Sequence, residues 1–311
     1  MATDVRSGSL SVAAARTEAT AERADRAAEP AADHRRTPRA GRVAVVAALA
    51  VFAVLFTYPF FWLVSASLKP RSQVFDNKLL PERLVPHNYV EVWQAAPVWT
   101  WLVNTVVVGI AAAAAVTVSS ALVAFGFAYF RFPGRGVLFG LVLGSMMLPG
   151  VVTIVPVYLV WNAAGLVGSQ IPLWAGNLFG SAFYIFLLRQ FFLGLPRDVF
   201  EAARVDGLGY FGLFWRMALP LSKPALIITF VFELRSSWTD LVKPLVYLQD
   251  PKLYTLPRGL KAVLDQFGKG GESQWEVVLA ASVIATIPMV VVFLIAQRYF
   301  VQGISTTGRT G

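Results

Sequence analysis

The sequence contains no cysteine, only two histidines and few charged residues. Without cysteine the chain has no disulfide framework, thiolate metal site or thiol nucleophile, although this leaves its redox compartment open. His34 and His87 stand alone, and neither has the spacing of a metal-ligand pair. Charged residues make up 14% of the 311 residues, against about 25% in a typical soluble chain. This is too little polar surface for a water-soluble globule, so a soluble enzyme and a disordered regulator are excluded.

Apolar residues are correspondingly abundant. They make up 56% of the chain and include 23 Phe and 9 Trp, which indicates a chain dissolved in a lipid bilayer. The net charge of +9 could indicate nucleic-acid binding, but that requires a basic face on a water-exposed domain. In a membrane protein such an excess usually lies in cytoplasmic loops, so we expect no nucleic-acid partner.

The chain divides into three parts. Residues 1–42 are rich in Ala, Arg, Glu and Asp and lack aromatic residues, which predicts a mostly disordered cytoplasmic tail. Its charged region is too long for a secretory signal peptide, and its basic end is expected to act as an orientation signal. Residues 43–300 are predicted to form the membrane domain, and residues 301–311 a short cytoplasmic C-terminal tail.

The fold class expected for the middle part is an all-α polytopic membrane protein with six transmembrane helices. A spanning helix needs roughly 20 apolar residues, and the uncharged stretch between Arg135 and Arg189 is long enough for two. Gly165, Gly168 and Pro172 place the turn between them. The predicted spans are 43–65, 101–129, 137–161, 173–194, 224–248 and 277–297.

The distribution of basic residues predicts the orientation of these spans. The side that carries both termini has 17 Lys and Arg residues, whereas the other side has 8. Positive charge favours the cytoplasmic side, so both termini are predicted to be cytoplasmic.

Glycines repeat every four residues in two of the spans. Small residues at this spacing let helix backbones approach closely in lipid, and we expect packing within the chain rather than a dimer contact. The residues are Gly136, Gly140 and Gly144 in the third span and Gly176 and Gly180 in the fourth.

No nucleotide-binding motif is present. The nearest string, at 268–271, lacks the upstream glycine and the hydroxyl residue of a phosphate-binding loop. Transport against a gradient would therefore take its energy from a partner or from an ion gradient.

The predicted cytoplasmic loop at 195–220 has a structure of its own. Asp198 and Glu201 have the spacing of a capping box that starts a helix, and Gly207 and Gly209 are suited to end it. A second helix is predicted over 210–218, ending before Pro220. The result is a helix–turn–helix elbow. Its small residues would allow close approach of another protein, and its aromatic residues would anchor it: Ala202, Ala203, Phe211, Phe214 and Trp215.

The run Glu201-Ala202-Ala203, followed by Asp206-Gly207 and Pro220, resembles the EAA loop of membrane subunits of ATP-binding-cassette (ABC) importers. A lone Glu-Ala-Ala occurs by chance in many helices, but the extended spacing between two spans is specific. The sequence departs at Leu208, where a small residue is common. The resemblance implies that the loop docks into a cleft on a partner ATPase. We therefore predict these docking residues: Glu201, Ala202, Ala203, Asp206, Gly207, Pro220 and, as an apolar anchor, Phe211.

Most of residues 43–311 is similar to the carbohydrate-uptake branch of these permeases, of the maltose type. The similarity rests on several short motifs: Ser67-Leu68-Lys69, Asn88-Tyr89 with Trp93, Asn104-Thr105, Arg189-Gln190-Phe191-Phe192, Tyr254-Thr255-Leu256-Pro257 and Gln297-Arg298-Tyr299-Phe300. It implies a multi-pass protein of the bacterial plasma (inner) membrane that is not itself an enzyme and binds no cofactor. The implied partners are a second, different permease subunit, an ATPase dimer that holds ATP and Mg, and an extracytoplasmic sugar-binding protein. ATPase closure would then drive alternating access through the loop.

Four charged residues lie in or next to the fifth span. Asp240 and Lys243 are three residues apart and can pair on one helix face, whereas Glu233 and Arg235 are expected to meet other helices or a partner. Two interpretations stay open: ion pairs or snorkelling side chains that fix the helices, or a sugar path that includes Trp238. The path candidates are Trp238, Asp240, Glu233, Asn177 and Tyr184, with Asn104 as a further one.

Segments 69–97 and 249–274 fall on the outer side of this topology. Their Trp, Tyr, Pro and charged residues suit docking of a binding protein, and a solvated connector is the alternative. For the whole chain, the alternatives are an ABC permease for polyamine or glycerol phosphate, a gradient-driven secondary transporter and a structural scaffold.

Overall fold

The structure is a computed structural model and describes residues 39–76, 78–268 and 274–307. The predicted disordered tail lies largely outside these residues. The chain divides into two compact units, residues 1–59 and 60–311. Of the first unit, residues 39–59 are described, and they belong to one long helix that continues into the second unit.

Helices form the regular structure of the described residues, in agreement with the predicted all-α fold. In chain order they are α1 (Arg39–Ser67), α2 (His87–Ala95), α3 (Val98–Tyr129), α4 (Arg135–Ser145), α5 (Gly150–Ala163), α6 (Ile171–Trp174), α7 (Ala182–Leu193), α8 (Arg197–Val205), α9 (Tyr210–Leu221), α10 (Lys223–Thr239), α11 (Val242–Tyr247), α12 (Leu256–Phe267) and α13 (Trp275–Thr307). Within α9, Leu213–Ala218 is a π-helix, and a 3-10 turn, Ala175–Phe179, extends α6.

Three of these helices, α1, α3 and α13, are each long and apolar enough to cross a membrane. Three bent helix pairs bring the number of candidate spans to six. The chain is therefore an all-α polytopic membrane protein. The long apolar runs predicted the three continuous helices well.

The predicted third, fourth and fifth spans are broken rather than straight. Between α4 and α5 the chain bends by 99°, and α5 begins after Pro149, which has no N–H and disfavours helical dihedrals at the residue before it. The bend before α7 is 41° and contains Gly180, with φ +80°. The predicted fifth span ends its first helix at Thr239 and resumes at Val242.

The helix α3 organises the second unit. Its 32 residues correspond to about 48 Å at 1.5 Å per residue, and it packs against α7 and α10. Two buried apolar clusters lie along it. One, near its start, includes Val98, Trp101, Tyr254, Leu256 and Val277. The other, near its end, includes Phe125, Phe192, Phe200, Leu213 and Phe214.

The expected packing role of the repeated glycines is wrong for four of the five. A Cβ added at Gly136, Gly140, Gly144 or Gly176 would meet nothing within 4 Å. The close approach lies at Gly109 instead, where an added Cβ would be 3.0 Å from a methyl of Leu234 on α10. Spacing alone misplaced the contact because it does not say which helices are neighbours.

Candidate functional site

The elbow consists of α8 and α9. The first helix begins at Arg197, directly after Pro196, and no side chain caps it. The predicted capping box of Asp198 and Glu201 is therefore wrong. Pro196 tolerates this position because its fixed φ suits a helix start and its missing N–H is not needed there. Asp198 lies in the first turn, where its negative charge still favours the helix dipole.

The end of α8 follows the sequence prediction at Gly207. This residue has φ +89°, its N–H donates to Arg204 O at 3.0 Å, and the N–H of Leu208 donates to Ala203 O at 3.0 Å. These are the two hydrogen bonds of a Schellman motif, which favours glycine at the left-handed position. Gly209 does not take part in this cap, since it precedes α9 with extended backbone, φ −70° and ψ 165°.

The second arm of the elbow is longer than predicted. It continues through Pro220 to Leu221, because Pro220 lies in the first turn of a short helical segment, where no N–H is required. The chain then bends by 79° into α10. The π-helical turns at Leu213–Ala218 are a feature that occurs often at functional positions.

Aromatic rings attach the elbow to the end of α3. Ring centroids of Phe214 and Phe125 are 5.4 Å apart, those of Phe200 and Tyr129 are 6.0 Å apart, and Tyr210 lies 5.0 Å from Phe130. Phe214 is only 2% exposed, so it belongs to the core and is not available as an anchor for another protein.

The opposite face of the elbow is exposed and partly apolar. Val205 is 88% exposed and Phe211 71% exposed, and the rings of Phe211 and Trp215 are 5.9 Å apart. Of the predicted docking residues, Ala203 is half-buried and the others are exposed: Glu201, Ala202, Asp206, Gly207, Phe211 and Pro220. The sequence prediction did not include Val199 and Val205, which are also exposed on α8. The sequence does contain a pattern that could have identified them, because each lies three residues from Ala202, the spacing of neighbours on a helix surface.

Three of the predicted path residues come together between α3, α7 and α10. The amide of Asn177 donates to Glu233 Oε1 at 2.6 Å and to Ala112 O at 3.1 Å. The hydroxyl of Tyr184 interacts with the same carboxylate. As expected, Glu233 meets other helices.

The other two path candidates lie elsewhere. Trp238 is buried, and its indole N–H donates to Ala285 O on α13 at 3.3 Å. The carboxylate of Asp240 accepts from the N–H groups of Val242 and Lys243, the first two residues of α11, and lies 3.4 Å from Lys243 Nζ. The predicted pairing of Asp240 with Lys243 is confirmed.

A polar stripe on α10 was not predicted as a unit. Arg235, Ser236 and Thr239 are all exposed and share one face of this helix. The Thr239 hydroxyl donates to the backbone carbonyls of the other two. Their spacing of i, i+1 and i+4 within an apolar stretch was the signal.

At the start of α3, side chains bind the backbone of the loop before α12. Trp101 Nε1 donates to Pro251 O at 2.8 Å, and the amide of Asn104 donates to Lys252 O at 2.9 Å and Tyr254 O at 3.0 Å. The N–H of Leu256 donates to Thr105 Oγ1 at 2.6 Å. Asn104 therefore holds this loop in place.

A second polar junction lies in the segment after α1. Lys69 is 1% exposed, forms an ion pair with Asp76 and donates to Lys78 O at 2.5 Å. The amide of Asn88 donates to Ser67 O at 2.8 Å and Lys69 O at 3.0 Å. Two of the short motifs noted in the sequence are thus direct contact partners.

No group of three or more His, Asp or Glu side chains that could hold a metal occurs among residues 39–76, 78–268 and 274–307. The candidate site consists of an elbow, a partly buried polar cluster and two hydrogen-bonded loops.

Comparison with known proteins gives the family. Residues 117–306 match the family described as "Binding-protein-dependent transport system inner membrane component". The chain is 30% identical to the arabinooligosaccharides transport system permease protein AraQ of Bacillus subtilis (strain 168), over 87% of this chain and 96% of that protein. It is 34% identical to the sn-glycerol-3-phosphate transport system permease protein UgpE of Yersinia pestis bv. Antiqua (strain Antiqua), over 82% of this chain and 93% of that protein.

Solved structures agree. One chain of a bacterial ABC transporter involved in the import of the acidic polysaccharide alginate has a TM-score of 0.72 and 25% identity, covering 86% of this chain and 99% of that one. A chain from a bacterial alginate ABC transporter, in complex with an alginate pentasaccharide-bound periplasmic protein, has a TM-score of 0.59 and shows the same fold at 13% identity. The family match, the similarity over nearly the full length of the relatives and the shared fold all agree. This chain belongs to the binding-protein-dependent inner membrane components, the permease subunits of ABC transporters.

Proposed function

We propose that this chain is the permease subunit of an ABC importer for a sugar or oligosaccharide, and that its elbow transmits the motion of a partner ATPase. The observation that carries this proposal is the elbow itself, two short helices closed by a Schellman motif at Gly207, with an exposed apolar face. The sugar assignment is supported by relatives named for arabinooligosaccharide transport and by the alginate importer fold.

The docking surface consists of the outer face of α8 and the start of α9. Val205 and Phe211 are its most exposed large apolar residues, and Ala202 between them leaves room for close approach. The aromatic contacts of Phe200 and Phe214 would pass a displacement of this face to α3. The partners in this proposal are an ATPase dimer, which holds ATP and Mg, a second permease subunit and an extracytoplasmic sugar-binding protein.

Both termini are proposed to be cytoplasmic, on the same side as the elbow. The basic residues on that side support this orientation. The hydrogen-bonded loops at the other end of α3 would then face the binding protein, and they offer a fixed surface because their backbones are held by side chains.

The proposed sugar path runs beside the cluster of Glu233, Asn177 and Tyr184 and along the exposed stripe of Arg235, Ser236 and Thr239 on α10. A charged and hydroxyl-bearing helix face is costly in lipid, so it suits a water-filled path or a partner helix. Trp238 and Asp240, which are hydrogen-bonded to α13 and α11, lie at the end of the same helix and stay candidates for lining this path.

A second candidate substrate is a glycerol phosphate. It is favoured by the 34% identity to a permease named for sn-glycerol-3-phosphate transport and by the exposed cation Arg235. Both candidates share the same coupling mechanism and differ only in the transported solute.

Reconstitution of the chain with its ATPase, its sister permease and its binding protein tests the proposal. We expect ATP hydrolysis to rise when the binding protein carries an oligosaccharide, and radiolabelled oligosaccharide to accumulate in the vesicles. Accumulation of glycerol phosphate alone would favour the second candidate. Uptake that persists without any ATPase subunit would overturn the ABC mechanism.

Co-purification tests the elbow separately. The variant Val205→Glu places a charge on the exposed apolar face and should abolish recovery of the ATPase subunit. The matched control, Val90→Glu, changes a valine that is exposed on α2, outside the predicted spans, and should keep it. Equal recovery with both variants would move the docking surface elsewhere.

A further inference from the structure

A cavity of about 360 Å³ lies between the elbow and the ends of two long helices. Its walls come from the end of α3, the start of α4, the end of α7 and the inner side of α8. Aromatic residues form much of the apolar lining, among them Phe125, Tyr129, Phe192 and Phe200. The cavity is therefore shared by the elbow and by the membrane-spanning part of the chain.

Four arginines line this cavity. Arg131 lies between α3 and α4 and Arg135 begins α4, whereas Arg197 and Arg204 lie seven residues apart on α8. The lining contains one acidic residue, Glu201, so four positive charges against one negative charge leave a net charge of +3.

The positive charge is not neutralised by any ion pair recorded among the described residues. The five ion pairs found there involve other side chains. Arg135 Nη1 donates to Phe130 O at 3.2 Å, and the Arg204 guanidinium lies 5.3 Å from the ring centre of Tyr210. Both interactions leave most of the guanidinium N–H groups available.

The lining of this cavity, with its arginines and aromatic rings, favours a ligand that has both an anionic group and an apolar part. Guanidinium groups match phosphate oxygens with paired, charge-assisted hydrogen bonds. Aromatic rings accept an apolar body, and a volume of this size lies within the range of sites for small organic molecules. Phosphate esters with an apolar part have both features. A free inorganic anion would leave the aromatic lining unused.

We propose that this cavity binds the phosphate group of an amphipathic phosphate ester, and that the bound ester links α8 to the ends of α3 and α7. Arg197 on one side and Arg131 on the other would both hold the phosphate, so occupancy would restrain the elbow. The ester has two possible sources, an anionic phospholipid headgroup or a soluble organic phosphate. The proposal goes beyond the transport function and does not depend on the solute.

The binding test uses the full chain purified in detergent. Phenyl phosphate is the soluble probe, followed by titration calorimetry. The lipid probe is an equal mixture of phosphatidylglycerol and phosphatidylcholine, followed by native mass spectrometry of the retained lipid. Phenyl phosphate binding without phosphatidylglycerol enrichment would identify a soluble ligand, and the reverse would identify a headgroup.

The variant Arg131→Gln/Arg197→Gln should weaken binding by at least about tenfold, since charge-assisted hydrogen bonds are lost. Arg131→Lys/Arg197→Lys keeps the charge and should retain part of the binding, which separates the cavity from a general loss of folding. Arg216→Gln removes an elbow arginine outside the cavity and should leave phosphate binding as in the unchanged chain.

Three results would overturn the proposal. The first is that neither probe binds to the unchanged chain. The second is that the glutamine double variant binds as well as the unchanged chain. The third is binding that disappears when the ATPase subunit assembles with the chain, because the cavity would then belong to the interface with that subunit.

Discussion

The two ends of α3 are held by different kinds of interaction. At its start, polar side chains donate to backbone carbonyls of a loop, as in the bonds from Trp101 and Asn104 to Pro251, Lys252 and Tyr254. At its end, rings pack against rings, with Phe125 close to both Phe192 and Phe214. The contacts that hold the end of α3 to the elbow are therefore mainly apolar, whereas those at its start are hydrogen bonds.

This difference has a physical consequence. Hydrogen bonds fix distance and direction, so a loop held by several of them keeps one position. Apolar contacts are non-directional, and they allow two packed elements to shift while staying in contact. A fixed surface suits the docking of an external protein. Close-packed rings that can re-pack suit a coupling element, because they stay in contact and pass a displacement on to α3. The first two predictions test the strength of each end, the third tests the geometry of the elbow, and the fourth tests the polar junction after α1.

The largest effect is expected for Phe214→Ala at the elbow end. Loss of a buried phenyl ring typically costs about 3–5 kcal/mol of the free energy of unfolding, because transfer and cavity terms add. Thermal unfolding in detergent measures it. Phe211→Ala, the matched control on the same helix, removes an exposed ring and should change stability little. Hydrogen exchange should increase in the elbow more than in the loop before α12; an equal increase at both ends would break the comparison.

The next largest effect is expected for Gly259→Ala at the other end. An added Cβ would lie 2.1 Å from the ring of Trp101, which is 3% exposed and hydrogen-bonded to the loop. Overpacking of this kind costs about 1–3 kcal/mol, and here it should also displace the loop. Fluorescence and thermal unfolding would detect both. Gly126→Ala, on an open part of α3, serves as the control, and equal stability of the two variants would contradict the contact.

A smaller effect is expected for Gly207→Ala in the elbow. An L-residue in the left-handed region costs about 1–2 kcal/mol, and the Schellman motif would loosen. The sharper readout is co-purification of the ATPase subunit, which should fall because the two arms lose their fixed angle. Gly209→Ala is the control, since its φ of −70° suits any residue. If both variants recover the ATPase equally, the angle at Gly207 does not set docking.

The smallest effect is local and depends on pH. The hydrogen bond from Lys69 lowers the pKa of the Asp76 carboxyl below its ordinary value, so this pair stabilises the fold above that value. The stabilisation is lost as pH falls through the lowered pKa, and hydrogen exchange of segment 68–88 should then increase. Asp76→Asn should remove this dependence. The hydrogen bond from Lys78 also lowers the pKa of the nearby Glu82. The same exchange measurement on Glu82→Gln separates the contribution of this carboxyl from that of Asp76.

Much of this architecture was predictable because it follows from local composition. Long apolar runs predicted α1, α3 and α13, and Gly207 predicted the end of α8. The bend at Pro149 was missed because the apolar composition on its two sides is the same as in a straight span. The capping box at Asp198 was wrong because the helix begins at Arg197, directly after Pro196, which is two residues earlier than a cap at Asp198 requires.

Side-chain environments were harder to predict than helices. Phe211 and Phe214 are three residues apart and would share a face in a regular α-helix, yet one is exposed and the other buried. The π-helix that begins at Leu213 changes the register between them. In the same way, Asn177 and Glu233 are 56 residues apart, and they become partners because the turn Ala175–Phe179 and α10 both pack against α3.

The sequence by itself determined that this chain lies in a membrane, where its long helices run and where its elbow turns, because hydropathy and glycine dihedrals act within a few residues. Tertiary structure alone decided which aromatic residues are buried, which carboxylate meets which amide and which arginines share a cavity. Those outcomes depend on contacts between segments far apart in the chain, and no local pattern specifies them.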